Sequence, residues 1–125
     1  MSKILIIDDE TDIVEMLEMK FKENGFEVIT ARDGQEGLSK AKETVPDLII
    51  VDEMMPKMDG YHFSGFLKSD TRFKGIPVIM FTARAEEPEE NMSKEAGINA
   101  YLTKMADFET LLAKVQQLIN QGREE

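Results

Sequence analysis

Apolar residues along this chain fall into two alternating patterns. Ile4–Ile7, Leu48–Val51 and Val78–Phe81 are unbroken apolar runs of the length expected for strands covered on both faces. Phe26–Thr30 and Ala100–Leu102 carry a shorter or mixed form of the same signal. Between the runs the spacing becomes helical. Ile13, Leu17 and Phe21 recur at one interval, and Leu111, Leu112, Val115, Leu118 and Ile119 stripe the stretch Asp107–Gln121. Gly34–Glu43 reads as a helix packed through Gly37 and Ala41, and Tyr61–Ser69 as one offering Phe63, Phe66 and Leu67. Asn24-Gly25, Val45-Pro46, Gly75–Pro77 and Gly97 punctuate the alternation. Thr11 or Asp12 can cap the first helix, and Asp12 with Glu15 has capping-box spacing. Pro88 suits the first turn of a helix that Glu86, Glu87, Glu89 and Glu90 favour at its positive end. Five strand-helix units with short connections predict an α/β, doubly wound, three-layer sandwich around a parallel sheet. No repeat or linker interrupts it, so one domain over residues 1–122 is expected, with a charged tail at 123–125 and no output domain.

Composition narrows the function. With 125 residues the chain can bury roughly two-thirds of the surface it exposes when unfolded, enough for one core. A formal charge of -10 disfavours direct nucleic-acid or anionic-membrane binding. The absence of Cys excludes disulfides and thiolate metal sites, and the apolar run after Met1 is too short for a leader or a membrane span, so a cytoplasmic protein is expected.

In a parallel sheet all the carboxyl ends share one edge, where open α/β sheets place their chemistry. Asp8 and Asp9 follow the first strand, Asp52 the third, Thr82 the fourth and Lys104 the fifth. Singly, each has a plain explanation: strand termination for Asp52, helix capping for Asp8, Asp9 and Thr82, and solvation for Lys104. Together they form three carboxylates that repel unless a cation joins them, and a lysine and a hydroxyl suited to phosphate oxygens. Mg²⁺ accepts one or two carboxylates, keeps waters and takes a phosphate oxygen, so the set fits metal plus phosphoryl group.

At these residues the chain resembles the receiver domains of bacterial two-component response regulators, including single-domain chemotaxis-type ones. Ile-Leu-Ile-Ile-Asp-Asp-Glu near the start, Asp-Glu-Met-Met-Pro-Lys-Met-Asp-Gly from Asp52, Phe-Thr-Ala from Phe81 and Tyr-Leu-Thr-Lys from Tyr101 carry the resemblance, which spans Lys3 to about Gln121. It implies a flavodoxin-like (βα)5 fold with strand order 2-1-3-4-5. It makes Asp52 the phosphoacceptor, served by a sensor histidine kinase or phosphotransfer protein. It implies that Asp9, Asp52 and the backbone carbonyl of Met54 ligate Mg²⁺, or Mn²⁺ in its place, with Asp8 helping through water. Lys104 would pair with a phosphoryl oxygen, Thr82 would move to bond another, and Tyr101 would turn inward with it. The fourth helix, fifth strand and fifth helix of the fold would then present a changed surface to a downstream protein. Such a protein is not an enzyme in the ordinary sense, because it catalyses only its own phosphorylation and dephosphorylation.

One position departs from the family pattern, Met105, where a proline usually follows the lysine. That keeps open a constitutive interaction module of receiver fold. A Mg²⁺-dependent aspartyl-phosphate phosphatase would need a second acid at Met54, and a flavodoxin-like nucleotide carrier a Ser, Thr or Gly-rich loop in place of Asp8-Asp9-Glu10. Met54 and Arg84 occupy the positions that tune phosphoryl hydrolysis in the family, and neither positions water, so a long-lived phosphorylated state is expected. His62, the single histidine, reads as a solvated side chain, Met54, Met55 and Met58 as loop packing, and Glu86–Glu90 as a solvated helix start.

Overall fold

The computed structural model describes residues 1–83 and 96–124. Its five strands, β1 (Lys3–Ile7), β2 (Glu27–Ala31), β3 (Leu48–Val51), β4 (Val78–Thr82) and β5 (Ala100–Thr103), form one parallel sheet in the order β2-β1-β3-β4-β5. The sheet is crossed by helices α1 (Thr11–Glu23), α2 (Gly34–Thr44), α3 (Gly60–Lys68) and a C-terminal helix (Phe108–Glu124). The helix expected around Pro88, with its acids and Arg84, lies outside the described residues.

The apolar runs are buried because alternate residues feed two separate cores. Ile4, Ile6, Leu48, Ile50, Ile79 and Phe81 point to one side, where Leu17 and Phe21 of α1 and Leu111, Val115 and Ile119 of the C-terminal helix cover them. Leu5, Ile7, Ile49, Val51 and Val78 point to the other, under Ala41 of α2 and Phe63 and Leu67 of α3. Phe21 is fully buried, edge-on to Phe26 at 5.5 Å and to Phe108 at 4.9 Å, so it joins α1 to β2 and to the last helix. A cavity at such a site costs about 3–5 kcal/mol. Gly37 lets α2 approach the sheet: a Cβ there would stand 2.5 Å from Ile7 Cδ1 and 3.2 Å from the Phe63 ring.

Several details differ from the sequence expectation. β2 is displaced one residue toward Ala31, which is 2% exposed and extends the sheet to the site edge, whereas Phe26 packs beside the first core. Phe66 is 55% exposed, because α3 buries Phe63 and Leu67 and the helical repeat turns Phe66 outward. α1 begins after Glu10 with no side-chain cap, so neither Thr11 nor Asp12 caps it. The Asn24-Gly25 stop is as expected, with Gly25 at φ 87.

Candidate functional site

The carboxyl ends of β1, β3 and β5 bring three acids and one lysine together. Asp8 is buried just beyond β1, its Oδ1 accepting the Glu10 N–H at 2.9 Å, which turns the chain into α1. Asp52, 6% exposed, follows β3 directly and is fixed by its own N–H donating to Ile7 O at 2.9 Å. Lys104 follows β5, and its N–H donates to Thr82 O at 2.6 Å. The Lys104 side chain, only 9% exposed, reaches inward: Nζ lies 2.9 Å from Asp8 Oδ2, 2.7 Å from Glu10 Oε1 and 3.4 Å from Asp52 Oδ2. One oxygen each of Asp8, Glu10 and Asp52 lies within 4.8 Å of the others.

This crowding decides the electrostatics. Burial and then the Asp8 charge raise the Asp52 carboxyl from 3.8 to about 6, against the pull of Lys104 and of the Met54 N–H. Asp8 is raised as well, chiefly by burial and against the Glu10 N–H and Lys104. Burial alone would lower Lys104, but its bonds to Glu10 and Asp8 and the charges of Asp8 and Asp52 raise it instead, so it stays an ammonium. Three carboxylates against one ammonium leave a surplus of negative charge in a recess of oxygen donors, which suits a small hard dication. The donor set therefore fits Mg²⁺.

The same fold recurs in known proteins. A family described as the response regulator receiver domain matches residues 4–116. The chain belongs to this family. Among curated relatives it is similar to the alkaline phosphatase synthesis transcriptional regulatory protein PhoP of Bacillus subtilis, 37% identical over 96% of this chain and 49% of that protein. It is likewise similar to protein PilG of Pseudomonas aeruginosa, 37% identical over 91% of this chain and 84% of PilG. The chain thus spans about half the length of PhoP and most of PilG. Among solved structures, the receiver resembles Vibrio cholerae chemotaxis protein CheY4, with a TM-score of 0.88, 34% identity and coverage of 94% and 98%. It also resembles Thermotoga maritima response regulator TrrA in complex with Mg²⁺-BeF, with a TM-score of 0.85, 32% identity and coverage of 94% and 99%. These neighbours share the CheY-like flavodoxin fold and bear out the strand order and layers read from the sequence.

The receiver's other candidate residues are placed as follows. Asp9 is exposed and stands outside the acid group, in which Glu10 takes part instead. Thr82 closes β4 at 1% exposure, and Tyr101 is half-buried on edge strand β5, opposite Met80. Met55 and Met58 pack on the second core as expected, but Met54 does not, being 70% exposed. Met105 is 83% exposed, and the Lys104–Met105 peptide is trans, yet Lys104 reaches the pocket. His62 is exposed, and its Nδ1 lies 2.8 Å from Asp59 Oδ1, the acid whose side chain caps α3. No helix among the described residues is long and apolar enough to cross a membrane.

Sequence reasoning missed Glu53. It is 3% exposed and bridges two elements: Oε1 accepts the Thr82 hydroxyl at 3.2 Å, and Oε2 the Tyr61 hydroxyl of α3 at 3.1 Å. Its backbone O accepts the Gly60 N–H at 2.8 Å. The one available signal was its position between Asp52 and the Met54-Met55 pair.

Proposed function

We propose that this receiver is a phosphorylation-controlled switch whose Asp52 accepts a phosphoryl group, in a Mg²⁺-dependent step, from a phosphohistidine of a sensor histidine kinase or phosphotransfer protein. The observation that carries the reading is the Lys104 ammonium beside Asp52, inside a ring of acids that would otherwise repel a phosphate. An Asp52 carboxylate oxygen attacks phosphorus, the P–N bond breaks with its electron pair returning to the imidazole, and an acyl phosphate results. Phosphoryl transfer asks mainly for alignment and charge neutralisation, and Lys104 supplies a fixed charge for both. Asp9, Asp52 and the Met54 carbonyl, with Asp8 through water, would hold Mg²⁺ or Mn²⁺, provided Asp9 turns in from its exposed position beside the grouped acids, and the ion would supply positive charge for the phosphoryl oxygens.

The dianionic product creates new contacts for Lys104 and for the Thr82 hydroxyl, and Tyr101 follows Thr82 inward. Differential contacts of this kind tip a two-state surface. In this reading that surface comprises β5, the C-terminal helix and the fourth helix expected from the sequence, which lies outside the described residues, and it regulates a downstream protein in the cytoplasm. Catalysis is confined to the protein's own phosphorylation and dephosphorylation. The Mg²⁺-BeF complex of TrrA supports the metal and the acceptor chemistry by likeness. A constitutive interaction module draws its support from Met105, but the contact of Lys104 with Asp52 favours the switch. The test is Mg²⁺-dependent labelling by a small phosphodonor of the wild type and of Asp52→Ala. Label on the wild type alone is expected, and equal labelling of both refutes the reading.

A further inference from the structure

We propose that Glu53 is a positioning residue that holds the switch hydroxyl of Thr82 in its resting state, so that phosphorylation must exchange one hydrogen-bond acceptor for another. The inference rests on the proposed phosphoryl switch and goes beyond it. A threonine hydroxyl carries one proton to donate, and here it is directed to Glu53 Oε1 at 3.2 Å, with both groups buried. To donate to a phosphoryl oxygen on Asp52, Thr82 must first release the carboxylate.

The Glu53 side chain is not free to follow. Its second oxygen is held by the Tyr61 hydroxyl at 3.1 Å, and its backbone is bound to the first residue of α3 through the Gly60 N–H. A Cβ at Gly60 would stand 3.2 Å from Glu53 Cα and 2.6 Å from Asp52 O, so helix and loop already touch. The carboxylate is therefore a fixed acceptor that links α3, the acceptor loop and the end of β4. A buried side-chain hydrogen bond of this kind is worth on the order of tenfold in an equilibrium. Ligand binding to the switched state is weakened by the fraction of molecules that must first leave the resting state. Releasing the hydroxyl should thus tighten, not weaken, the binding of a phosphoryl mimic.

The experiment titrates the full chain with beryllofluoride at saturating Mg²⁺, following a tyrosine or backbone amide signal. Variants are Glu53→Gln, which keeps an acceptor without the charge, and Glu53→Met, which removes the acceptor at similar volume. Each is made in the wild type and in Thr82→Ala. Expected is a tightening of roughly threefold for Glu53→Gln and tenfold for Glu53→Met in the wild type, and less than twofold for either in Thr82→Ala. A merely structural Glu53 would lower the unfolding temperature and leave affinity unchanged or weaker. Equal tightening in both backgrounds, or none in either variant, overturns the proposal. If Thr82→Ala binds too weakly to titrate, the affinity order Glu53→Met over Glu53→Gln over wild type decides alone, and any other order overturns it. Failure of the wild type to bind beryllofluoride removes the switch and the positioning role together. Binding by the wild type but not by Asp52→Ala, with a flat Glu53 series, removes the positioning role alone.

Discussion

Replacing Asp52 by Asn should make the protein more stable, and by an amount that depends on pH in one direction. Burial and the Asp8 charge lift the Asp52 carboxyl from 3.8 to about 6 in the folded chain. Between roughly pH 4 and pH 6 the folded state then holds more protons at this site than the unfolded state does. Its contribution to stability falls as pH rises through that window and stays level above it. A difference of this size corresponds to about 3 kcal/mol disfavouring the ionised acid at neutral pH. Asn fits the same space without the charge, and Lys104 keeps Asp8 and Glu10 as partners. The gain for Asp52→Asn should therefore be near zero at pH 4 and reach on the order of 2–3 kcal/mol at pH 7, or roughly 10 °C in Tm for a chain of this size. Urea unfolding of both proteins across pH 4–8 measures it. Mg²⁺ at 100 times its Kd should add about 2.7 kcal/mol to the wild type, and much less to Asp52→Asn. A gain that is constant with pH, or largest at pH 4, would show that the acid is not strained by burial and refute the reasoning.

Three further outcomes follow from particular residues. Gly60→Ala should cost about 1–3 kcal/mol in urea unfolding and reduce phosphoryl labelling, since its Cβ would meet the Asp52 backbone O at 2.6 Å; an unchanged midpoint and label would contradict the packing. Val45→Gly should stabilise by about 1 kcal/mol, because Val45 sits at φ 46, a conformation costly for a β-branched residue, and a lowered midpoint would count against it. Phosphorylated protein freed of donor should keep its label for minutes, because the exposed Met54 side chain offers no group to position water; loss within seconds would refute this.

Runs of buried residues were readable because a strand covered on both faces leaves no polar alternation, and Leu48–Val51 and Val78–Thr82 are such strands. The convergence of Asp8, Asp52 and Lys104 followed from the parallel order alone. What remained hidden was orientation within irregular backbone. Asp8, Asp9 and Glu10 are chemically alike in sequence, and only the turn into α1 sends Asp8 inward, Glu10 to Lys104 and Asp9 to solvent. That engagement of Glu10 with Lys104 accompanies a helix start without a side-chain cap, where Thr11 or Asp12 was expected. Glu53 escaped notice for a similar reason. It lies where the period-2 pattern of β3 has ended and the helical pattern of α3 has not begun, so no periodicity reports which way it faces.

The hydrogen bond between Lys104 and Glu10 joins residues 94 positions apart, and the strand that leads to Asp8 is sealed by the last helix of the chain. This long closure matters during synthesis. A nascent chain that has emerged only as far as Gly60 already carries Asp52, but it has neither the lysine that answers the acids nor the helix that covers Ile4 and Ile6. Asp52 exists before its pocket does. Under the proposed function, competence to receive a phosphoryl group would be tied to completion of this fold, because the pocket closes only when β5 and the last helix are in place.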